Sequence, residues 1–391
     1  MNRNKAVIFS LSFLGVIAMD SVAPLIQKIS LSFPDVNLTI IKQTITIPSM
    51  TAMFSTLLCG QLVRFLPKKV ILLMGLLLYS VGGIGAGWAQ NYGTHLFLRG
   101  TLGAGVGLIS PIQTSLVADF FRGEERANMF GNTLAFSKFV AIIVPPLSVW
   151  LGNENWRNAF SIYIIGPMVL LFVLFALKIP INKSGAIDKK SVKNTIPPIV
   201  IIYAASTLVL LSVFFILVTD LTYLIETKER VSSIISAYGL STTTVGTTIA
   251  GILFSKMYWK LKKWLIPLGA LLCGGGFLLV VYSMSSSIML GLLSIGFGLG
   301  ILLSYISLST TNAVCEADST TANSIVGSAT SFGIALSPFL YGNLPVLFQG
   351  LSAVQSNFKF ASFVFLGMGF ISMFLFILRT NNQKINHKNE V

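Results

Sequence analysis

The chain has 391 residues, of which 54% are hydrophobic and only 10% charged, with a formal net charge of +14 and a mean hydropathy of +0.80. A soluble domain carries roughly 25% charged residues, so this composition excludes a large globular enzyme and defines a polytopic membrane protein. Its positive charges fall in short gaps between apolar runs, the pattern of topology signals rather than of a nucleic-acid-binding face.

A spanning helix needs about 20 apolar residues, and the runs predict six spans at 6–27, 40–62, 70–89, 92–118, 127–151 and 158–178. A lysine-bearing connection, 179–196, follows. Six more spans are predicted at 197–225, 232–255, 264–283, 288–312, 320–345 and 357–378, and then a polar tail, 379–391, expected to be disordered. The basic start before the first span is not followed by a small-residue cleavage site, so that span is read as uncleaved. Alternate loops counted from the N-terminus hold 19 Lys and Arg against 6 on the other side. This bias puts both termini and the central connection in the cytoplasm of a plasma-membrane protein. The predicted fold is thus all-α, with 12 spans in two six-helix bundles, 1–178 and 197–378.

The halves echo each other. Gly60-Gln-Leu62 matches Gly251-Ile-Leu253, Gly103/105/107 match Gly296/298/300, Gly131 and Phe136 match Gly327 and Phe332, and Asp20 lies close to the place of Asp220. All offsets fall between about 190 and 200 residues, in the same order, which indicates an internal duplication. The glycine triplets lie mid-helix without a preceding strand, so they are packing surfaces and not phosphate loops. No G-x-x-x-x-G-K-[ST] occurs, so ion-gradient coupling is expected instead of ATP hydrolysis. The scattered Cys59, Cys273 and Cys315 and the isolated His95 and His387 suit neither a metal site nor a disulfide framework. No cofactor is expected.

Ionisable groups inside spans cost about 2.5–3.5 kcal/mol each even on lenient scales. Four are predicted there: Asp20, Arg99, Lys138 and Asp220. At about 1.5 Å rise per residue, Asp20 and Arg99 share a layer roughly 10 Å from the outer surface. They form either a structural ion pair or a proton-coupling pair in which Arg99 holds Asp20 ionised until a proton or cationic substrate competes. Asp220 is a water-exposed group or a second proton site. Lys138 snorkels, pairs with Asp20, or anchors an anionic substrate group. Polar residues that accompany them as candidate substrate contacts are Gln113, Asn128, Asn132, Tyr203, Tyr223, Tyr305 and Asn312.

Several stretches resemble the major facilitator superfamily, and within it the twelve-span drug:proton antiporters. Gly60-Gln-Leu-Val-Arg-Phe-Leu-Pro-Lys-Lys69 is similar to the loop signature G-x-L-A-D-R-x-G-R-K. Leu98-Arg99-x-x-Leu102-Gly103-x-Gly105 resembles the span 4 signature. Asp119 with Arg122-Gly-Glu-Glu-Arg-Ala127 resembles the loop after span 4, Trp156-Arg157-x-x-Phe160 the start of span 6, and Met19-Asp20-x-x-x-Pro24 span 1 of bicyclomycin-resistance-type exporters. Two places depart. Arg64 and Pro67 stand where the loop signature has Asp and Gly, and the span 5 antiporter signature survives only as Val144-Pro145-Pro146-Leu-Ser-Val149.

The resemblance implies a secondary transporter working by alternating access, with spans 1, 4, 7 and 10 around a central cavity. Its expected partners are protons, a small amphipathic substrate and the lipid bilayer, and it is expected to act as a monomer. A metabolite carrier or lipid flippase is the alternative within transport; a non-transporting sensor is the alternative outside it. The reversed charge at Arg64 suggests a cytoplasmic latch from Arg64, Lys68 or Lys69 to Glu316 or Asp318. In the opposite state, Asp119, Glu124 or Glu125 would pair with Lys256 or Lys260.

Overall fold

The computed structural model describes residues 3–36, 38–41, 43–177, 196–226, 233–283, 286–315, 318–341 and 353–389. These are helical, with no strand among the described residues. In chain order the helices are α1 (Arg3–Ser12), α2 (Leu14–Asp20), α3 (Ile26–Ser32), α4 (Leu38–Ile41), α5 (Gln43–Leu62), α6 (Lys68–Trp88), α7 (Tyr92–Phe120), α8 (Gly123–Leu151), α9 (Ile165–Ala176), α10 (Pro198–Glu226), α11 (Ser233–Leu261), α12 (Leu265–Tyr282), α13 (Ser286–Asn312), α14 (Ser319–Tyr341) and α15 (Ala353–Asn389). Among the described residues, nine helical segments are long and apolar enough to cross a membrane. The tail expected to be disordered instead continues α15 as far as Asn389.

The first span is not one helix. It breaks at Phe13 and again after Asp20, where Ala23–Leu25 forms a 3-10 turn. Pro24 has no N–H to give the carbonyl four residues back, which is that of Asp20 itself. The helix carrying the aspartate therefore ends on it. Another irregular segment, the 3-10 helix Trp156–Ile164, leads into α9. Starts elsewhere are regular: Asn91 caps α7 by accepting from the Thr94 N–H at 2.7 Å, and Glu124 and Glu125 lie in the first turn of α8, where carboxylates favour the helix dipole.

The glycine ladders set the packing of both halves in the same way. A Cβ at Gly103 would meet Pro48 and Thr51 of α5, one at Gly105 would meet Gly75 and Tyr79 of α6, and one at Gly107 would meet Ala52 and Ser55 of α5. In the second half, Gly296 and Gly300 face Thr243 and Thr247 of α11, while Gly298 faces Gly269 and Cys273 of α12. The sequence echo is thus an echo of contacts: odd rungs meet one neighbour and the middle rung the other. Nothing lies within 4 Å of a Cβ at Gly275. Gly103→Val is expected to cost about 1–3 kcal/mol by overpacking, and Gly275→Val close to nothing. Thermal unfolding of the purified variants in detergent checks the contrast.

Two compact units result: Met1–Val209 with Ser307–Ala335, and Leu210–Ile306 with Leu336–Val391. This partition differs from one at the 179–196 connection, because the end of α13 and the first part of α14 pack with the N-terminal helices. In the second unit α12 and α15 pack together, with Ser362 donating to the Gly274 carbonyl at 2.9 Å and Phe277 stacked on Phe365.

Candidate functional site

Arg99, on α7, is completely buried. Its Nε donates to the Thr44 carbonyl at 3.0 Å, one terminal nitrogen to the Ala18 carbonyl at 3.0 Å, and the other to the Tyr163 hydroxyl at 2.8 Å. The Tyr163 hydroxyl also meets Ser21 Oγ at 2.7 Å. Ala18 lies in the last turn of α2, where carbonyls lack helical partners and the dipole favours a cation. Arg99 is therefore a clasp: it ties the broken end of α2 to the start of α5 and to the 3-10 segment before α9. The expected Asp20–Arg99 ion pair is not formed. The two share a layer, as the helix rise indicates, but the guanidinium is taken up by carbonyls and a phenol.

The cation within electrostatic reach of Asp20 is Lys138 of α8. Both side chains are partly buried, and their separation is longer than a direct ion pair; the close ion pairs among the described residues are Lys5–Glu125 and Lys68–Asp119. One residue before Lys138, Ser137 Oγ donates to the Ser12 carbonyl at 2.6 Å, at the break between α1 and α2. Phe136 packs edge-on against Phe9 and Phe13. Together these contacts hold α8 along the first span and bring the stretch that carries Lys138 beside α2, which ends at Asp20. Gln113 is partly buried on α7 and Asn132 exposed on α8, neither in a hydrogen bond among the described residues. Both belong to the same unit as Asp20 and Lys138.

In the second unit, Asp220 of α10 accepts a hydrogen bond from Asn357 Nδ2 of α15 at 2.8 Å. Asn357 is buried, and its Oδ1 has no partner among the described residues. Tyr305 is buried and packs on Tyr258. The Tyr223 side chain lies outside the described residues. Two participants escaped sequence reasoning, Tyr163 and Asn357. Tyr163 follows Trp156-Arg157-x-x-Phe160 at the next helical turn, and Asn357 opens the last predicted span; each was a visible polar group in an apolar run.

The expected latch is rearranged. Lys68, at the start of α6, binds both Asp119 carboxylate oxygens, at 2.7 and 3.0 Å, and Ser115 Oγ at 2.5 Å. Lys69 donates to the Leu174 and Leu177 carbonyls at the end of α9. Both lysines are thus held by N-terminal helices, and neither reaches Asp318, which accepts from Cys315 Sγ at 3.2 Å. Glu125 pairs with Lys5 at 2.6 Å, Glu124 is exposed and so is Arg64, and Glu316 lies outside the described residues. Lys68 takes Asp119 because α6 starts beside the end of its antiparallel neighbour α7.

The contacts of α7, α8 and α5 with the α13–α14 corner are made by neutral groups and by Arg126. Ser115 Oγ meets Ser319 Oγ at 2.8 Å and accepts from Thr320 Oγ1 at 2.8 Å. Thr321 donates to the Gly60 carbonyl at 3.0 Å and Ser328 to that of Met53 at 3.2 Å. Arg126 reaches Asn312 Oδ1 at 2.6 Å. Ser115 is the hub, oriented by the Lys68–Asp119 pair. Asp119→Asn is expected to loosen this corner by about 1.4 kcal/mol, about tenfold in opening. In a Cys315→Ser background, maleimide labelling of Ala322→Cys, a buried position, should then rise about tenfold; an unchanged rate would contradict the hub.

Helices long and apolar enough to cross a membrane, carrying ionisable groups within them, define a polytopic membrane protein. The sequence pattern of the Major Facilitator Superfamily matches residues 6–338, and the chain belongs to that family. It is similar to the multidrug transporter protein MdtP of Bacillus subtilis, 27% identical over 119 residues, which is 30% of this chain and 22% of that protein. It is also similar to the quinolone resistance protein NorA of Staphylococcus aureus, 28% identical over 116 residues, 29% of each chain. The matches therefore span less than a third of these relatives. Among solved structures, the human organic anion transporter MFSD10 superposes with a TM-score of 0.76 over 95% of this chain and 99% of that one at 15% identity. The proton:xylose symporter XylE does so with a TM-score of 0.79 over 96% of this chain and 95% of that one at 13% identity. These likenesses share the fold.

Proposed function

We propose that this protein is a twelve-span secondary transporter of the plasma membrane, with cytoplasmic termini, that exports small amphipathic molecules in exchange for protons. The observation that carries the reading is the Asp20–Lys138 arrangement: α8 brings its buried-span lysine beside α2, which ends at Asp20, without a close ion pair, while the third charge of the layer, Arg99, is fully occupied elsewhere. Such a pair has two low-energy arrangements. With Asp20 ionised, Lys138 balances it; with a proton on Asp20, Lys138 is released to meet an anionic or polar group of the substrate, and a cationic substrate displaces the proton directly. Gln113 and Asn132 are the accompanying polar contacts. In the second half, Asp220 with Asn357 is the counterpart proton or cation site, and Tyr223 and Tyr305 are the counterpart contacts. The similarity to multidrug transporters supports drug-like cargo. The Ser115 corner then acts as the cytoplasmic gate, closed here, and alternating access requires it to open.

Transport of an anionic metabolite or lipid on the same fold is the second reading, favoured by Lys138 and by the glycines missing around Pro145 and Pro146 in α8. Proteoliposomes with an imposed pH gradient, screened with cationic, neutral and anionic amphiphiles, separate the two. Gradient-driven flux of cationic or neutral compounds supports proton-coupled export; flux of anions alone, or flux indifferent to the gradient, overturns it.

A further inference from the structure

A cavity of about 500 Å³ opens beside α5 and α14, with Ile196, just before α10, on its rim. Its α5 wall is Phe54, Leu57, Leu58 and, past the helix end, Arg64, spaced to lie along one side of the chain. Phe54 and Leu58 are each 59% exposed, apolar surface suited to contact with lipid chains. Ile325 supplies apolar surface from α14, Gln61, Thr321 and Ser324 add neutral polar groups, and among the described residues no carboxylate lines the space. Arg64 is exposed and has no side-chain partner among the described residues, although its neighbours Lys68 and Lys69 are both engaged. Phe65, beside it, is 81% exposed, as an interfacial anchor would be.

We propose that this groove binds one anionic phospholipid, its phosphate on Arg64 and an acyl chain along Phe54, Leu57 and Leu58. Length decides for a lipid over a free anion. From Phe54 to the end of α5 at Leu62 is eight residues, about 12 Å along the helix, most of one half of the roughly 30 Å hydrocarbon core, and Arg64 follows in the turn beyond. The cation therefore sits at headgroup level while the apolar wall follows one leaflet. Charge decides for an anionic lipid: a lone guanidinium makes a forked contact with phosphate, and zwitterionic headgroups bring a cation that Arg64 repels. An Asp at this place, as in the resembling signature, would reverse that preference. The inference rests on the membrane reading of α5 and not on proton coupling.

The test titrates the full-length protein in detergent with dioleoyl phosphatidylglycerol or dioleoyl phosphatidylcholine and counts retained lipid by native mass spectrometry. One basic residue near the surface is expected to favour the anionic lipid about fivefold. Arg64→Gln should bring the two lipids to parity, Arg64→Lys should keep most of the preference, and Leu58→Ser should weaken retention of phosphatidylglycerol. Lys262→Gln, an exposed cation of the second unit, should leave the preference as in the wild type. Equal retention by the wild type overturns the site, and so does a preference that survives Arg64→Gln. A loss as large in Lys262→Gln would mean diffuse surface charge, and unchanged retention in Leu58→Ser would remove the groove from the account.

Discussion

Replacing Arg99 with Met is expected to destabilise the N-terminal unit by several kcal/mol, seen as a large fall in the unfolding temperature and in the yield of monodisperse protein. The change removes a buried cation, which by itself relieves a desolvation cost. It also strips the Thr44 carbonyl of its side-chain donor and leaves the Ala18 carbonyl with only the long 3.5 Å contact from the Tyr163 hydroxyl, at about 1–3 kcal/mol for each orphaned buried group. The Tyr163 hydroxyl keeps Ser21, so it is the least affected partner. Arg99→Lys should recover little, because an ammonium is a point charge and cannot reproduce the planar fork that reaches three acceptors. Tyr163→Phe should also destabilise, by leaving one guanidinium nitrogen without its 2.8 Å acceptor. What remains folded should still couple flux to the pH gradient. An Arg99→Met protein with wild-type stability but no coupling would restore the role that the sequence first suggested for this arginine.

That role illustrates what the residues reveal and where they stop. Hydropathy, the glycine ladders and the signatures around Gly60–Lys69 and Arg99 were sufficient for the family and for the packing logic of both halves. Helix rise was sufficient to put the two at one level: Arg99 bonds the carbonyl of Ala18, two residues from Asp20. Rise along an axis carries no information about azimuth, and the choice between Arg99 and Lys138 as partner of Asp20 is azimuthal. It also depends on irregular backbone. Pro24 ends α2 at Asp20 and leaves carbonyls for Arg99 to collect, and the 3-10 turn at Trp156–Ile164 delivers Tyr163 to the same place. Both breaks lie in stretches that read as continuous apolar spans. The corner at Ser115 was hidden for a different reason. Loop charges attract attention as latches, yet Lys68 finds Asp119 on the adjacent antiparallel helix, and small hydroxyls of ordinary appearance, Ser115, Ser319 and Thr320, make the contact between the halves of the sequence.

Asp20, with Lys138 on the neighbouring α8, is proposed to carry the coupled proton. Asn has the shape of Asp but cannot ionise, so Asp20→Asn fixes the site in its proton-loaded form while leaving the clasp at Arg99 intact. The two activities of an exchanger should then separate. Proteoliposomes holding wild type should accumulate substrate against its gradient when a pH difference is imposed, and should also exchange labelled for unlabelled substrate without one. The Asp20→Asn protein should lose gradient-driven accumulation by at least about a hundredfold, the scale of losing a proton-transfer group, and keep exchange within about threefold of wild type. The measurement is that pair of rates in one preparation. Loss of accumulation with exchange retained is the predicted result; accumulation by Asp20→Asn at the wild-type level would contradict the account.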